Sequence, residues 1–214
     1  MTAPAVMWRS LLPREGRHCR FYEGDEMNEH QDIIDGMPSV TVVISTVFKH
    51  WFNFDMVPEG VLEEAKKRGV DVHHSCAVLA QGLFPMIAPE YQGYLDSFRG
   101  WFDMMVEDVL LVEERLVDPV LGFHGCPDLI VWTKQHEIIL VDLKTPEALM
   151  PTWKWQIAAY DRLVEKCKGW KVDRAGSLRL RPEGVALMKY YEEKDRRRDL
   201  TVFLSALNVY KNAA

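Results

Sequence analysis

Gly125-Cys126-Pro127-Asp128-Leu129-Ile130-Val131-Trp132, followed by Ile138-Ile139-Leu140-Val141-Asp142-Leu143-Lys144-Thr145, sets two acids and a lysine into two apolar runs. The residues between them, Thr133-Lys134-Gln135-His136-Glu137, form a short polar turn, so the runs read as the strands of a β-hairpin. An unpaired charge in an apolar strand costs several kcal/mol or neutralises itself, so Asp128, Asp142 and Lys144 need compensation, and a divalent cation is the natural candidate. Asp142 and Lys144 are two residues apart, which places both side chains on one face of the second strand and Leu143 on the other. Hard cations such as Mg²⁺ suit the two aspartates, with the backbone carbonyl of Leu143 as a further ligand. Lys144 would then lie beside the metal-bound water, whose pKa the metal lowers, in the geometry of a hydrolytic metal site.

Pro-Asp, a spacer and Asp-x-Lys together resemble the signature of the PD-(D/E)XK nuclease superfamily, and three further patterns resemble its RecB-like branch. Upstream, Leu110-Leu111-Val112-Glu113-Glu114-Arg115-Leu116-Val117 reads as another strand bearing a carboxylate. The resemblance favours Glu113, three residues before an apolar residue such as Leu116, with Glu114 as the alternative. Gly69-Val70-Asp71-Val72-His73, at the junction of two helical segments, resembles the Gly-x-x-x-His motif whose imidazole serves the metal. Gln156-Ile157-Ala158-Ala159-Tyr160 resembles the Gln-x-x-x-Tyr motif, and residues four apart share a helix face. Taken singly, each pattern is weak: a lone histidine is most often packed or on the surface, and Gln-x-x-x-Tyr fits any amphipathic helix. Their shared order along one chain carries the resemblance.

Met37-Pro38-Ser39-Val40-Thr41 is also similar to the opening of phage-type RecB-like exonucleases and of the mitochondrial genome maintenance exonuclease, so the likeness spans about residues 38 to 210. It implies an α/β fold with a restriction-endonuclease-like core, a mixed β-sheet flanked by helices in the order α-β-β-β-α-β, over residues 38–214. It also implies an Mg²⁺- or Mn²⁺-dependent deoxyribonuclease, an exonuclease acting at DNA ends in phage or prophage recombination, with a single-strand annealing or recombination protein as partner. Asp128, Asp142, Glu113 and His73 would hold the metal, Lys144 would activate the water, and Gln156 and Tyr160 would hold DNA or brace the site. An endonuclease of the same fold is one alternative, since fold does not decide substrate. A non-catalytic DNA- or partner-binding module is another, although a dead site gains nothing from charges in an apolar strand.

The patterning predicts helices over Pro58–Arg68, Val72–Phe84 and Glu90–Asp108, three strands, a helix over Thr152–Lys168, two more strands (Leu178–Arg181, Gly184–Tyr191) and a last helix around Leu200–Leu207. Residues 1–37 read as an extension, with a hairpin around Arg20–Tyr22 and a flexible stretch from Glu23 to Gly36. The chain of 214 residues, 48% hydrophobic, is long enough to bury a sizeable core as one catalytic domain. No apolar run approaches the ~18 residues of a membrane span, and the N-terminus lacks a signal-peptide core, so the expected location is the cytoplasm.

Cys19, Cys76, Cys126 and Cys167 contain no Cys-x-x-Cys pair, so neither a structural zinc nor a disulfide framework is expected. Some RecB-like relatives carry an iron–sulfur cluster built from one early cysteine and a tight later group; only Cys167 follows the motifs here, so no iron–sulfur cluster is expected. The net charge of −6 argues against DNA, but phosphate affinity depends on where the cations lie. Lys66-Lys67-Arg68 precedes the His73 motif, Lys154 adjoins Gln156, and Lys194, Arg196, Arg197 and Arg198 cluster late. Lys67, Arg68 and Lys154 are the candidate DNA contacts. Trp153 and Trp155 could stack on a base, with core packing the expected role of at least one.

Overall fold

The computed structural model describes residues 33–34, 36–51 and 58–213. The expected hairpin at Arg20–Tyr22 and most of the stretch from Glu23 to Gly36 lie outside them. Where that stretch is described, β1 (Ile33–Ile34) pairs with β2 (Met37–Pro38) across Gly36, whose φ of 76° suits a turn. Ser39 then caps α1 (Val40–Val47), its hydroxyl accepting from the Val42 N–H at 3.1 Å, which gives the Pro-Ser-Val-Thr opening a local physical reason.

The segments expected as two helices form one helix, α2 (Glu59–Ala80). Gly69 does not break it: mid-helix glycine costs only about 1 kcal/mol relative to alanine, and the stripe of Val72, Cys76 and Ala80 packed into the core holds the helix through that point. The next helix, α3 (Gln92–Met105), is shorter than expected because the chain turns extended at Val106 to begin β3 (Val106–Val112). The strand expected over Leu110–Val117 is likewise divided. β3 stops at Val112, Glu113 takes a left-handed φ of 44°, and β4 (Leu116–Asp118) pairs instead with β5 (Phe123–Gly125) in a small separate sheet.

The main sheet has the order β3-β6-β7-β8-β9, where β6 is Leu129–Thr133, β7 Ile138–Lys144, β8 Arg174–Leu180 and β9 Ala186–Tyr191. β6 and β7 form the expected antiparallel hairpin, with Leu129 opposite Val141. β8 runs parallel to β7, and the crossover such a pair requires contains α4 (Trp153–Lys168), which ends at Gly169 with φ 68°. β9 returns antiparallel to β8. The last helix, α5 (Glu193–Asn212), extends beyond the apolar run at both ends, with Glu193 and Asp195 in its first turn.

One side of the sheet packs Ile130, Leu140 and Ala175 against α1, α4 and α5. The other packs Val131, Ile139, Val141, Leu143 and Leu178 against α2 and α3. Burial on both faces explains why β7 is apolar without alternation as far as Val141. The fold is therefore a mixed α/β sheet flanked by helices, in the order α-β-β-β-α-β when β3, β6 and β7 are counted as the first three strands.

Candidate active site

Pairing between β6 and β7 ends at Leu129 and Val141. Just beyond it, the Asp128 carboxylate takes the backbone N–H of Leu143, with Oδ2 at 2.6 Å. Its other oxygen, Oδ1, lies 3.3 Å from Nδ1 of His73 on α2. Glu113 joins His73, Asp128 and Leu143 in lining this cleft, and its N–H donates to the Asp128 carbonyl at 3.0 Å, which ties its left-handed backbone to the start of β6. Glu114 turns away and binds Lys168 at 2.6 Å. Of the two glutamates, Glu113 is the one beside the aspartate.

On β7, Asp142 and Lys144 share the face toward α4 as their spacing requires, with Lys144 Nζ 2.6 Å from Asp142 Oδ2. Lys144 also donates to Gln156 Oε1 at 3.0 Å, and Gln156 Nε2 donates to the Tyr160 hydroxyl at 3.1 Å. The ammonium fixes which end of the Gln156 amide faces it, so the network orients both helix residues. Gly125 makes room for this. A Cβ there would lie 2.7 Å from Tyr160 Cε1, closer than real side chains approach, and a tight 3.0 Å from Leu163 Cδ1.

Burial raises the Asp142 carboxyl, Lys144 opposes the rise and Asp128 reinforces it, leaving a pKa pushed up to about 6. Asp128 is driven the other way: burial would raise it, but His73, Lys144 and the Leu143 N–H hold it below its ordinary value. For His73, burial pulls the imidazole down and Asp128 more than restores it, so its pKa is raised. Burial, with Asp142 and Asp128, keeps the Tyr160 phenol protonated well above its usual range. Burial does the same to the Cys76 thiol, with Asp128 and Glu113 adding to it, which removes it as a nucleophile at neutral pH.

Among the described residues, no three His, Cys, Asp or Glu side chains converge as a ready-made metal cage. Asp128 is committed to His73 and the Leu143 N–H, and Asp142 to Lys144. Oδ2 of Asp142, fully buried, has the ammonium near it but, among the described residues, no well-directed hydrogen-bond donor.

The other candidates are dispersed. Lys67 is exposed on α2. Arg68 is half-buried, with its guanidinium 5.6 Å from the Tyr94 ring and a buried Nε that has no hydrogen-bond partner among the described residues. Lys154 faces α5, 3.8 Å from Asp199 Oδ1. In the late basic cluster, Arg196 is buried and bound to Asp161 and to the carbonyls of Tyr191 and Val172, while Arg197 and Arg198 pair with Glu193 and Asp195. Both tryptophans are core residues, Trp155 against Phe48 and Trp153 with its ring 5.7 Å from the Lys144 ammonium. The sequence reading missed the space-making role of Gly125, whose only local sign was a glycine one residue removed from Pro-Asp.

No protein-family model and no curated protein matches the chain. Among solved structures, the chain is similar to a candidate exonuclease from Eubacterium rectale, at 8% identity and TM-score 0.46, over 89% of this chain and 88% of that one. It is also similar to the protein SSO0001, at 14% identity and TM-score 0.32, over 83% and 80%. At these values neither likeness bears on function, which rests on the residues themselves.

Proposed function

We propose that the chain is a metal-dependent deoxyribonuclease of the RecB-like PD-(D/E)XK type, hydrolysing phosphodiester bonds at DNA ends. The observation that carries this reading is the pair of carboxylates, Asp142 buried and Asp128 half-buried, the second of which raises the cost of ionising the first, set beside Lys144. A divalent cation would relieve that repulsion, and Asp142 Oδ2 is a buried oxygen without a directed donor among the described residues. The donor set fits Mg²⁺ or Mn²⁺: Mg²⁺ keeps several waters and needs only one or two carboxylates, so the lack of a three-ligand cage is no obstacle.

Asp128 and Asp142 would hold the ion, assisted by Glu113, His73 and the carbonyl of Leu143. When bound, the ion supplies a water of lowered pKa and neutralises charge on the phosphate. Lys144 holds an ammonium at the reaction centre, kept in place by Asp142 and Gln156, where it can steady an attacking hydroxide and the phosphate's developing charge. Gln156 and Tyr160 orient that ammonium, and His73 orients Asp128. The preference for ends, the phage or prophage recombination setting, and a recombination partner protein follow from the motif resemblance.

The test is incubation with Mg²⁺ of end-labelled linear DNA beside covalently closed circles. Loss of the linear DNA with intact circles is the expected result. Nicked circles would make the protein an endonuclease, and no cleavage with either Mg²⁺ or Mn²⁺ would refute the assignment.

A further inference from the structure

We propose that Arg179 and Lys189 extend the reaction centre into a positively charged track that binds the phosphates of one substrate DNA strand; this rests on the nuclease reading above. The parallel register of β7 and β8 sets Arg179 directly beside Lys144. Paired residues project to the same face from strands about 4.8 Å apart, so the guanidinium and the ammonium share a side of the sheet. β9 continues the row. Arg179 is opposite Leu187 and Ser177 opposite Lys189, which puts Lys189 on that face as the diagonal neighbour of Arg179, about 7–8 Å away.

Among the described residues, nothing neutralises the charge on this row. Arg179 donates to the backbone carbonyl of Glu147 in the β7–α4 loop, which anchors the guanidinium without cancelling its charge. Among the described residues no carboxylate forms an ion pair with Arg179 or Lys189, whereas Arg174, which opens β8, and Arg181, just past its end, pair with Glu137 and Glu183. The face is also open here: Lys189 is exposed and Leu187 is 43% exposed. A guanidinium fork matches a phosphate's oxygens, and a row of cations beginning at the reaction centre meets the molecule that reacts there. In a chain of net charge −6, attraction for DNA has to be local in this way.

The experiment measures binding of a fluorescein-labelled single-stranded oligonucleotide by anisotropy over a range of salt, with Ca²⁺ in place of Mg²⁺. Arg179→Gln should weaken binding about tenfold, the effect of losing a charge-assisted contact. Arg179→Gln and Lys189→Gln should each lower the slope of log K against log salt by about 0.7, and the double variant by about twice that. Arg179→Lys should restore the slope, and Arg197→Gln, at an exposed position of α5, should leave it unchanged. Should Arg179→Gln lower the melting temperature, the exposed Lys189→Gln decides.

Unchanged slopes in both single variants, or no salt-dependent binding by the wild type, would overturn the track. Cleavage by the wild type alongside unchanged slopes removes the track and leaves the nuclease reading standing. The expected slopes without cleavage in Mg²⁺ or Mn²⁺ support the track and overturn the reading beneath it.

Discussion

Lys144 Nζ lies 2.6 Å from Oδ2 of Asp142, two residues back along the same face of β7, in a pocket that leaves the lysine side chain 14% exposed and the aspartate side chain 2% exposed. Each is the other's main compensation. Removing one member of a buried pair strands the other, at a cost of about 3–5 kcal/mol, so Asp142→Ala should melt well below the wild type in metal-free buffer. A thermal melt within a degree of wild type would mean that the pair is solvated in solution.

Asp128→Asn and Asp142→Asn should each weaken Mg²⁺ binding about tenfold or more by calorimetry, since each removes an anionic oxygen from a hard-cation site. Unchanged affinity in both variants would place the metal elsewhere.

The metal-free protein should lose stability as pH rises from about 4 through 6, where Asp142 ionises, and further above the ordinary histidine value, where His73 loses its proton. Asp142, raised to about 6, and His73, also raised, have folded-state pKa values above their unfolded ones. The stability each contributes is present below its unfolded value and lost as pH climbs through the folded one. Asp128, lowered, acts only in the acid range below its ordinary value, outside this window. The loss attributable to Asp142 is on the order of 1–3 kcal/mol, and added Mg²⁺ should protect more at pH 8 than at pH 5.5 because the ionised carboxylate is its ligand. Thermal melts of wild type and Asp142→Asn across this range check it: the variant should show the flatter profile, and parallel profiles would remove Asp142 as the source.

The β6–β7 hairpin was legible because a polar turn separates two apolar runs, and α4 because Thr152 and Gly169 mark its ends. The continuity of α2 was not: Gly69 looks like a break locally, and only packing of Val72, Cys76 and Ala80 against the rest of the core decides otherwise. Nor was the interruption at Glu113, whose φ of 44° accompanies a hydrogen bond to the Asp128 carbonyl fifteen positions away. At the site, period-2 spacing placed Asp142 with Lys144, while His73, Gln156 and Tyr160 entered through motif resemblance. Arg179 was invisible because its place beside Lys144 depends on a parallel register that no local pattern encodes.

His73 and His74 offer a one-residue contrast. His73 lies against Asp128, whereas His74 is exposed and turned about 100° around the helix. His73→Ala should lower cleavage about 10–100-fold, as expected for a group that orients or assists a metal ligand, and should lose Mn²⁺ affinity most, because imidazole suits Mn²⁺ better than Mg²⁺. His74→Ala should be nearly silent. Equal effects in a cleavage assay would remove the RecB-like assignment of this histidine.

Gly125→Ala should disturb the site without touching a charge. Its Cβ would meet the Tyr160 ring at 2.7 Å, so the ring must shift and the Gln156–Lys144 network with it. A destabilisation of about 1–3 kcal/mol is expected, together with reduced turnover. Wild-type melting and turnover in this variant would show that Tyr160 has room to spare.

The most direct measurement is the rate at which wild-type protein and Lys144→Ala degrade end-labelled linear DNA in Mg²⁺, with circular dichroism confirming that the variant is folded. The ammonium beside Asp142 and Gln156 is assigned to the reacting water and phosphate, so the wild type should digest the DNA and the folded variant should retain less than about a hundredth of its rate, the usual scale for losing a charge-stabilising group. A folded Lys144→Ala that keeps more than about a tenth of wild-type turnover would exceed what that role allows and contradict the account.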